Sequence, residues 1–275
     1  MNKSILITGC STGIGYTCAH ALAKRGYKVI ASCRKTEDVE RLTSEGLTCI
    51  QLDLNDSESI RRAVEVTLEL TNGELYALFN NGAYGQPGAL EDLPVEALKK
   101  QFQTNFFGWH ELVSLVLPVM RKQGYGRIVQ NSSVLGFAAM KYRGAYNASK
   151  FALEGWTDTL RLELHDTDIQ ISLIEPGPIE TQFRENAKVA FQTWIEIDRS
   201  YHREKYRQQL TRLNAKNSEN AFVLPPESCV TPLVDALESP KPKLRYRVTT
   251  PTKVFAILKR LLPSRWLDEL LRRAA

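Results

Sequence analysis

A tyrosine and a lysine stand four places apart in GAYNASKFALEG, residues 144–155. On a helix, Tyr146 and Lys150 share one face, because residues i and i+4 are neighbours there. Alone, neither group does acid–base chemistry at neutral pH, since a phenol titrates near ~10 and an ammonium near ~10.4. At ~5 Å and an effective dielectric of ~20, however, a charged ammonium favours the phenolate by about 3 kcal/mol, roughly two pKa units. With a second positive charge nearby, a phenol pKa of roughly 7 to 8 comes within reach, where a general acid–base works best. The spacing itself is common: Tyr201 and Lys205 repeat it in the charged segment SYHREKYR. That pair has no strand ending beside it and reads as a solvated helix face. Tyr146 instead opens a helix after the strand-like RIVQNSS, and catalytic groups of open α/β sheets gather at the carboxyl ends of strands.

Other residues fit the same chemistry. Ser133 ends that strand, thirteen residues before Tyr146, and a hydroxyl there could stabilise charge growing on a substrate oxygen. Asn105 lies three residues after Phe102 and four before Trp109, on or beside an apolar stripe where a buried amide needs partners. The first strand runs into ITGCSTGIG, placing Gly9, Gly13 and Gly15 where strand meets helix. Glycines there let backbone approach a pyrophosphate, and the helix start offers free N–H groups and a positive dipole end. The spacing is GxxxGxG, so the general GxGxxG fingerprint is not met to the letter. The second strand ends in Ser32-Cys33-Arg34-Lys35, with no carboxylate before Glu37. A carboxylate would bond a ribose 2′-hydroxyl, whereas the planar fork of Arg34 grips a 2′-phosphate. The expected cofactor is therefore NADP(H) rather than NAD(H).

The elements that must position these groups alternate along the chain. SILITG leads into a helix from Ile14 to Arg25 closed by Gly26. KVIASC, a helical stretch to Glu45 and TCIQLDL follow, then a helix opened by Asn55 and Glu58 and running to about Leu70. LYALFNNGA is a strand, and apolar positions 98, 102, 106, 109, 113, 116 and 120 predict one long helix from about Pro94 to Gln123. RIVQNSS is a strand, 146–164 a helix and IQISLIEPG a strand. Alternation of this kind implies parallel pairing with right-handed crossovers, so the expected fold is α/β, a single Rossmann-type doubly wound parallel sheet with helices on both faces. After Pro178 the alternation stops. A polar, helix-prone segment at 182–222 carries Phe183, Ala187, Phe191, Trp194 and Tyr201 at helical intervals, and a late strand, KLRYRVT, precedes a basic helical tail at about 251–275. Without repeats or a Pro/Gly/Ser linker, residues 1–275 read as one domain.

Bulk composition excludes several alternatives. The chain has 275 residues, 43% hydrophobic and 24% charged, as an ordinary soluble globular protein does. Five widely spaced cysteines without a CxxC argue against a disulfide framework and for a reducing, cytoplasmic setting. Four histidines form no ligand cluster, so no metal site is assigned. The first strand begins at residue 4, leaving no room for a leader, and the run LVSLVLPVM falls far short of the ~18 residues a spanning helix needs. No feature points to nucleic acid. Charge is uneven: residues 241–275 hold ten Lys/Arg and two Asp/Glu, +8, within a whole-chain charge of +5. This tail could pack on the domain with its cations in water, or make weak contact with an anionic membrane surface.

TGCSTGIG, NNGA at 80–83, Asn105, Ser133, YNASK and PGPIET at 176–181 together resemble the short-chain dehydrogenase/reductase family, in that family's order and separations, from residue 3 to about 181. YNASKFALEG further resembles the branch holding retinol dehydrogenases, 17β-hydroxysteroid dehydrogenases and bacterial NADP-dependent aldehyde reductases. The resemblance implies Asn105, Ser133, Tyr146 and Lys150 as a catalytic tetrad, with Asn105 holding a water that links Lys150 to solvent. It implies cofactor contacts at Gly9, Ser11, Gly13, Ile14, Gly15, Arg34, Asp53, Leu54 and Asn81, and at Tyr146, Lys150, Pro176, Gly177, Ile179 and Thr181. Asp53 would face the adenine, and Ile179 and Thr181 would hold the nicotinamide carboxamide. Asn80 is expected to brace the sheet. The family also implies a homodimer or homotetramer built through the long helices.

Aromatics of the 182–222 segment, with Leu135, Phe137 and Met140, point to a pocket for a small apolar carbonyl or alcohol, although most of that stripe is expected to pack the segment onto the domain. Arg184, Arg199 and Arg203 could meet an anionic tail or face water. The expected function is reduction of aldehydes or ketones with apolar bodies. The alternatives are oxidation of lipid-like alcohols at a membrane surface, and a cofactor-sensing scaffold without turnover. Arg34→Asp should move cofactor preference toward NAD(H) by at least ~10-fold in kcat/KM, measured with both nicotinamides; equal use of the two by the unaltered protein would overturn the NADP(H) assignment.

Overall fold

Runs such as SILI and ALFN are apolar at three of four positions and buried throughout, the pattern of strands covered on both faces. The computed structural model describes residues 3–214 and 222–274. Seven strands form one sheet: β1 (Ser4–Ile7), β2 (Lys28–Cys33), β3 (Thr48–Gln51), β4 (Ala77–Asn80), β5 (Gly126–Asn131), β6 (Ile169–Glu175) and β7 (Arg245–Arg247). Their order is β3-β2-β1-β4-β5-β6-β7, and every neighbouring pair is parallel. The chain winds outward from β1 to β3, returns to β4 and winds the other way, so a crevice opens between the carboxyl ends of β1 and β4. Alternate side chains serve opposite layers. Ile5 and Ile7 pack with Leu22, Val29 and Phe79 on one face, and Leu6 packs with Ile30, Leu78, Trp109 and Ile128 on the other.

The crossover helices are α1 (Gly13–Lys24), α2 (Thr36–Ser44), α3 (Ser57–Leu70), α4 (Val95–Phe102), α5 (Gly108–Gln123) and α6 (Gly144–Glu163). Two boundaries differ from the sequence reading. Helix α3 is capped by Asp56 rather than Asn55, because the Asp56 carboxylate accepts the Glu58 N–H at 2.9 Å. Helix α6 begins at Gly144, so Tyr146 lies inside its first turn.

The expected uninterrupted helix over 94–123 is divided by a π-helical turn at Gln103–Phe107, with Asn105 buried in it. Such turns hold an extra residue and shift the face that follows, which apolar spacing alone does not reveal. Beyond β6 the segment at 182–222 forms α7 (Phe183–Trp194) and α8 (Arg203–Asn214); its part at 215–221 lies outside the described residues. Next come α9 (Val230–Glu238), β7, and a tail of two helices, α10 (Thr250–Leu261) and α11 (Ser264–Ala274).

Helix α5 passes very close to the end of β3. A Cβ on Gly108 would sit 2.4 Å from the Leu54 carbonyl oxygen. Gly108→Ala should therefore overpack a backbone contact and cost roughly 1–3 kcal/mol, read as a Tm lower by several degrees in thermal unfolding; an unchanged Tm would show that the two elements separate freely.

Candidate active site

The crevice between β1 and β4 is built by close backbone approach. Gly9 has φ +70° and Gly13 φ +60°. A Cβ on Gly9 would lie 2.5 Å from Gly82 Cα, and one on Gly15 would lie 2.3 Å from the Gly9 carbonyl oxygen. Only glycine fits the first two conformations without strain, and at Gly15 the space is filled by backbone. Thr8 fastens the two strands, its hydroxyl accepting the Asn81 and Gly82 N–H groups at 2.8 Å each. The Asn81 amide donates to the Thr8 and Gly9 carbonyls at 2.9 and 3.1 Å and accepts from the Asn131 amide at 2.9 Å. The result is an open glycine cradle at the start of α1, fit for a pyrophosphate.

That cradle is one end of a cavity of about 890 Å³, whose wall includes Gly9, Ser11, Gly13, Ile14 and Asn81 together with Ser133, Tyr146, Lys150, Pro176, Gly177, Ile179 and Thr181. Gly15 and Leu54 lie behind it: Leu54 is buried, its Cδ1 3.2 Å from where a Gly82 Cβ would stand. Arg34 and Asp53 line a separate hollow beyond the ends of β2 and β3, with Gln51, Asp56, Glu58, Ser59 and Arg62. Arg34 and Lys35 are exposed there. Asp53 Oδ1 accepts the Asn55 backbone and side-chain N–H groups at 2.9 and 2.8 Å.

Lys150 is 1% exposed, an ammonium held under the sheet ends. It donates to the Asn131 carbonyl at 2.7 Å and lies 4.3 Å from the centre of the Trp109 ring. Burial pulls its pKa down to about 7, opposed by the Glu154 carboxylate one turn further along α6. Burial likewise pushes the Tyr146 phenol up to about 12, which its hydrogen bond with Ser133 offsets only in part. The expected depression of this phenol is thus not produced by the folded chain alone. Lys150 Nζ stands 5.8 Å from the Tyr146 ring centre, and loss of water outweighs its field. At neutral pH Tyr146 carries its proton.

Asn105 does not reach the cavity wall. Its amide donates to the Tyr84 carbonyl at 2.9 Å and to Ser149 Oγ at 3.3 Å, and its oxygen accepts the Tyr84 N–H at 3.2 Å. It thereby ties the π-helical turn to α6 one residue before Lys150. A further brace fixes α6 to β6 and β7: Arg245 contacts Glu154 at 3.2 Å, Asp158 at 2.7 Å and Glu175 at 3.1 Å, and Arg247 contacts Glu175 at 3.2 Å. Glu175 immediately precedes Pro176-Gly177, so one ion network positions both the lysine helix and the start of PGPIET.

Phe183 and Arg184, singled out from sequence, are in the wall, whereas Asn131 and Arg143 are wall residues without a sequence signal, Asn131 acting through its backbone. Trp109 is not part of the wall; it is core that packs against Lys150. Phe183 stands 5.3 Å from the Tyr146 ring, edge to face, and Arg143 and Arg184 also line the cavity. Leu135 and Met140 line it as expected, as does Phe191, whereas Phe137 does not. Phe191 packs on Tyr206 at 5.0 Å, so part of the aromatic stripe does hold the segment together. Tyr201 is 89% exposed and Lys205 is exposed, as the solvated reading of that pair requires. Arg199 pairs with Glu196 at 3.0 Å and Arg203 lies beside Glu204 at 4.0 Å, both facing water. No cluster of metal-ligating side chains occurs among the described residues.

A doubly wound sheet whose switch point holds a glycine cradle beside Ser133, Tyr146 and Lys150 defines a dinucleotide-dependent oxidoreductase scaffold. The chain belongs to the short-chain dehydrogenase family, whose model matches residues 3–190. It is 43% identical over 272 residues to the oxidoreductase YbbO of Escherichia coli K12, covering 99% of this chain and 95% of that one. Human retinol dehydrogenase 8 is 36% identical over 258 residues, 88% of this chain and 80% of that protein. In three dimensions the fold matches a short-chain dehydrogenase/reductase from Burkholderia phymatum, solved in complex with NAD, with a TM-score of 0.79 at 23% identity over 98% of this chain and 95% of that one.

Proposed function

We propose that this chain is an NADP(H)-dependent reductase of aldehydes and ketones with apolar bodies. One observation carries the reading: Ser133, Tyr146 and Lys150 meet on the wall of one largely apolar cavity that also contains the glycine cradle, with the phenol holding its proton. The cradle fits a dinucleotide because the two close approaches at Gly9 and Gly15 leave backbone, not side chains, lining it. Ser11, Gly13, Ile14 and Asn81 would hold its phosphates and ribose, and Pro176, Gly177, Ile179 and Thr181 its nicotinamide end. When bound, the reduced nicotinamide supplies a hydride. Arg34 and Lys35, exposed beyond β2 with no carboxylate at that strand end, support a 2′-phosphate and hence NADP(H). Asp53 and Leu54 would border the adenine side.

In this reading Ser133 orients the carbonyl oxygen and stabilises its growing charge, and Tyr146 delivers its proton there. Lys150 stabilises the phenolate left behind. Asn105 positions this group through Ser149 and the Tyr84 backbone and links it to solvent through water. Because burial favours the protonated phenol, the resting site is set for reduction; alcohol oxidation first needs the phenolate.

Around this core we place the remaining assignments. The chain acts as a single domain in a reducing, cytoplasmic setting, supported by five free cysteines, four of them buried. Among the described residues no helix is long and apolar enough to cross a membrane. Exposed Phe107 and Phe151 support self-association as a homodimer or homotetramer. Trp266, Leu270 and Leu261, exposed on or beside α11 among Arg260, Arg265, Arg272 and Arg273, support weak contact with an anionic membrane surface. Replacing Trp266 and Leu270 by serine should abolish flotation with anionic vesicles; flotation equal to wild type would remove the membrane contact.

Tyr146→Phe should lower carbonyl reduction by roughly 10²- to 10⁴-fold while leaving the affinity for NADPH, read by fluorescence titration, close to wild type. The sign of the pH dependence follows from the raised phenol. Between pH 6 and 8 reduction should not be limited by loss of that proton, whereas alcohol oxidation should climb with pH by up to about tenfold per unit. Oxidation level across that range would contradict a protonated resting tyrosine.

A further inference from the structure

The cavity follows one face of a helix. Phe183, Ala187 and Phe191 of α7 all line it, and at spacings of four they share that face. From Phe183 to Phe191 a helix rises by about 12 Å, so the cavity runs beside α7 for that distance. Its two ends differ. At the Phe183 end stands Tyr146, the two rings 5.3 Å apart and edge to face. At the Phe191 end stands Tyr206 of α8, which also lines the cavity, with its ring 5.0 Å from that of Phe191.

Tyr206 is 1% exposed although α8 is a mostly polar helix. Its surroundings explain the burial. The phenol oxygen accepts the Ala89 N–H at 2.7 Å and donates to the Asp92 carboxylate. Asp92 also accepts the Ser200 hydroxyl at 2.6 Å, and His202 contacts Glu91 at 2.6 Å. A polar seam thereby fastens the start of α8 to the short turn Leu90–Asp92. The ring itself packs edge to face on Phe191 and, at 5.8 Å, on Tyr142, in the cluster that includes Ala89 and Ile195. Burying a phenol is costly unless its hydroxyl is paired, and here it serves as both donor and acceptor. A wall held by apolar contact alone could yield by changing rotamer, whereas this ring cannot swing without breaking two buried hydrogen bonds.

Resting on the carbonyl-reducing reading of the same cavity, we infer that Tyr206 is the end stop of the substrate chamber: its ring sets the longest apolar chain that fits when the carbonyl lies at Ser133 and Tyr146. This adds a specificity-determining residue and a limit of substrate length to that reading. Between the two tyrosines a chain meets Met140, Phe183 and Phe191, so each added methylene is taken out of water and tightens binding. Once the ring is reached, a further methylene finds no room and gains nothing.

Binding of 1-alkanols from butanol to dodecanol to the NADPH-loaded protein tests the stop without relying on turnover. Read by calorimetry, affinity should rise about fourfold for each methylene and then level off at a defined length. In Tyr206→Ala that break should move roughly two to four carbons longer, whereas Tyr206→Phe, which keeps the ring, should hold it within about one carbon of wild type. Tyr206→Leu should move it in the same direction as Tyr206→Ala, and serves where the latter does not fold. Affinity for NADPH should stay close to wild type in all three, since Tyr206 lies away from the glycine cradle. Affinity that climbs to dodecanol without a break would overturn the inference. So would a break left in place by both Tyr206→Ala and Tyr206→Leu, or one moved just as far by Tyr206→Phe, since the seam and not the ring would then set the length. Straight-chain aldehydes give the kinetic counterpart: the same break should appear in KM and shift in the same variants. If alkanols show the break but no aldehyde is reduced, the reductase reading fails while the stop stands.

Discussion

An ammonium buried to 1% exposure is the constraint around which this molecule is arranged. A charge taken from water is costly unless it is held by dipoles or counter-charge. Here the compensation comes from three directions at once. The Asn131 carbonyl accepts at the end of β5, the Trp109 face lies beneath from α5, and Glu154 acts from the next turn of α6. Each therefore pins one element: strand, crossover helix and lysine helix are registered against a single nitrogen. The same burial keeps the neighbouring phenol protonated, so the buried lysine and the acid share one cause.

Fixing that nitrogen explains features that would otherwise look incidental. The π-helical turn lets Asn105 reach Ser149 and Tyr84 instead of following the apolar stripe. The Arg245 contacts to Glu154, Asp158 and Glu175 tie the far half of α6 to the strand that introduces Pro176-Gly177. Sheet ends and helices thus form a stiff floor. Above it the walls from α7, α8, α10 and α11 are assembled mainly from side-chain contacts, such as Phe191 on Tyr206. Stiffness resides where proton and hydride geometry would be set, and variability is left to the surface that meets the substrate.

Sequence made the floor legible because its signals are local or stereochemical. Alternating strand and helix runs fixed the sheet class, glycines marked positive φ and close approach, and the place of Tyr146 after a strand separated it from Tyr201. What sequence hid is long-range. The exchange of Asn55 for Asp56 as cap depends on one carboxylate rotamer. The π turn lies beside Gly108, which passes the Leu54 carbonyl, 54 positions away. The depressed phenol expected from a Tyr–Lys pair is not produced by the folded chain alone, because the pair energy left out desolvation, and burial opposes charge on both groups. Arg143 was invisible as a wall residue because nothing in RGAY announces its bridge to Gly88.

The contact among Gly9, Gly15 and Gly82 has a consequence for how such a protein can change over evolutionary time. Gly9 and Gly15 are each blocked by backbone, at 2.5 Å from Gly82 Cα and 2.3 Å from the Gly9 carbonyl oxygen, so a side chain at either would have to shift the elements that meet there. Divergence is thereby channelled away from the nucleotide cleft toward the later helices, where a new side chain meets only other side chains. A lineage built on this frame can exchange one metabolite for another by redecorating its rim, and inherits its redox machinery intact.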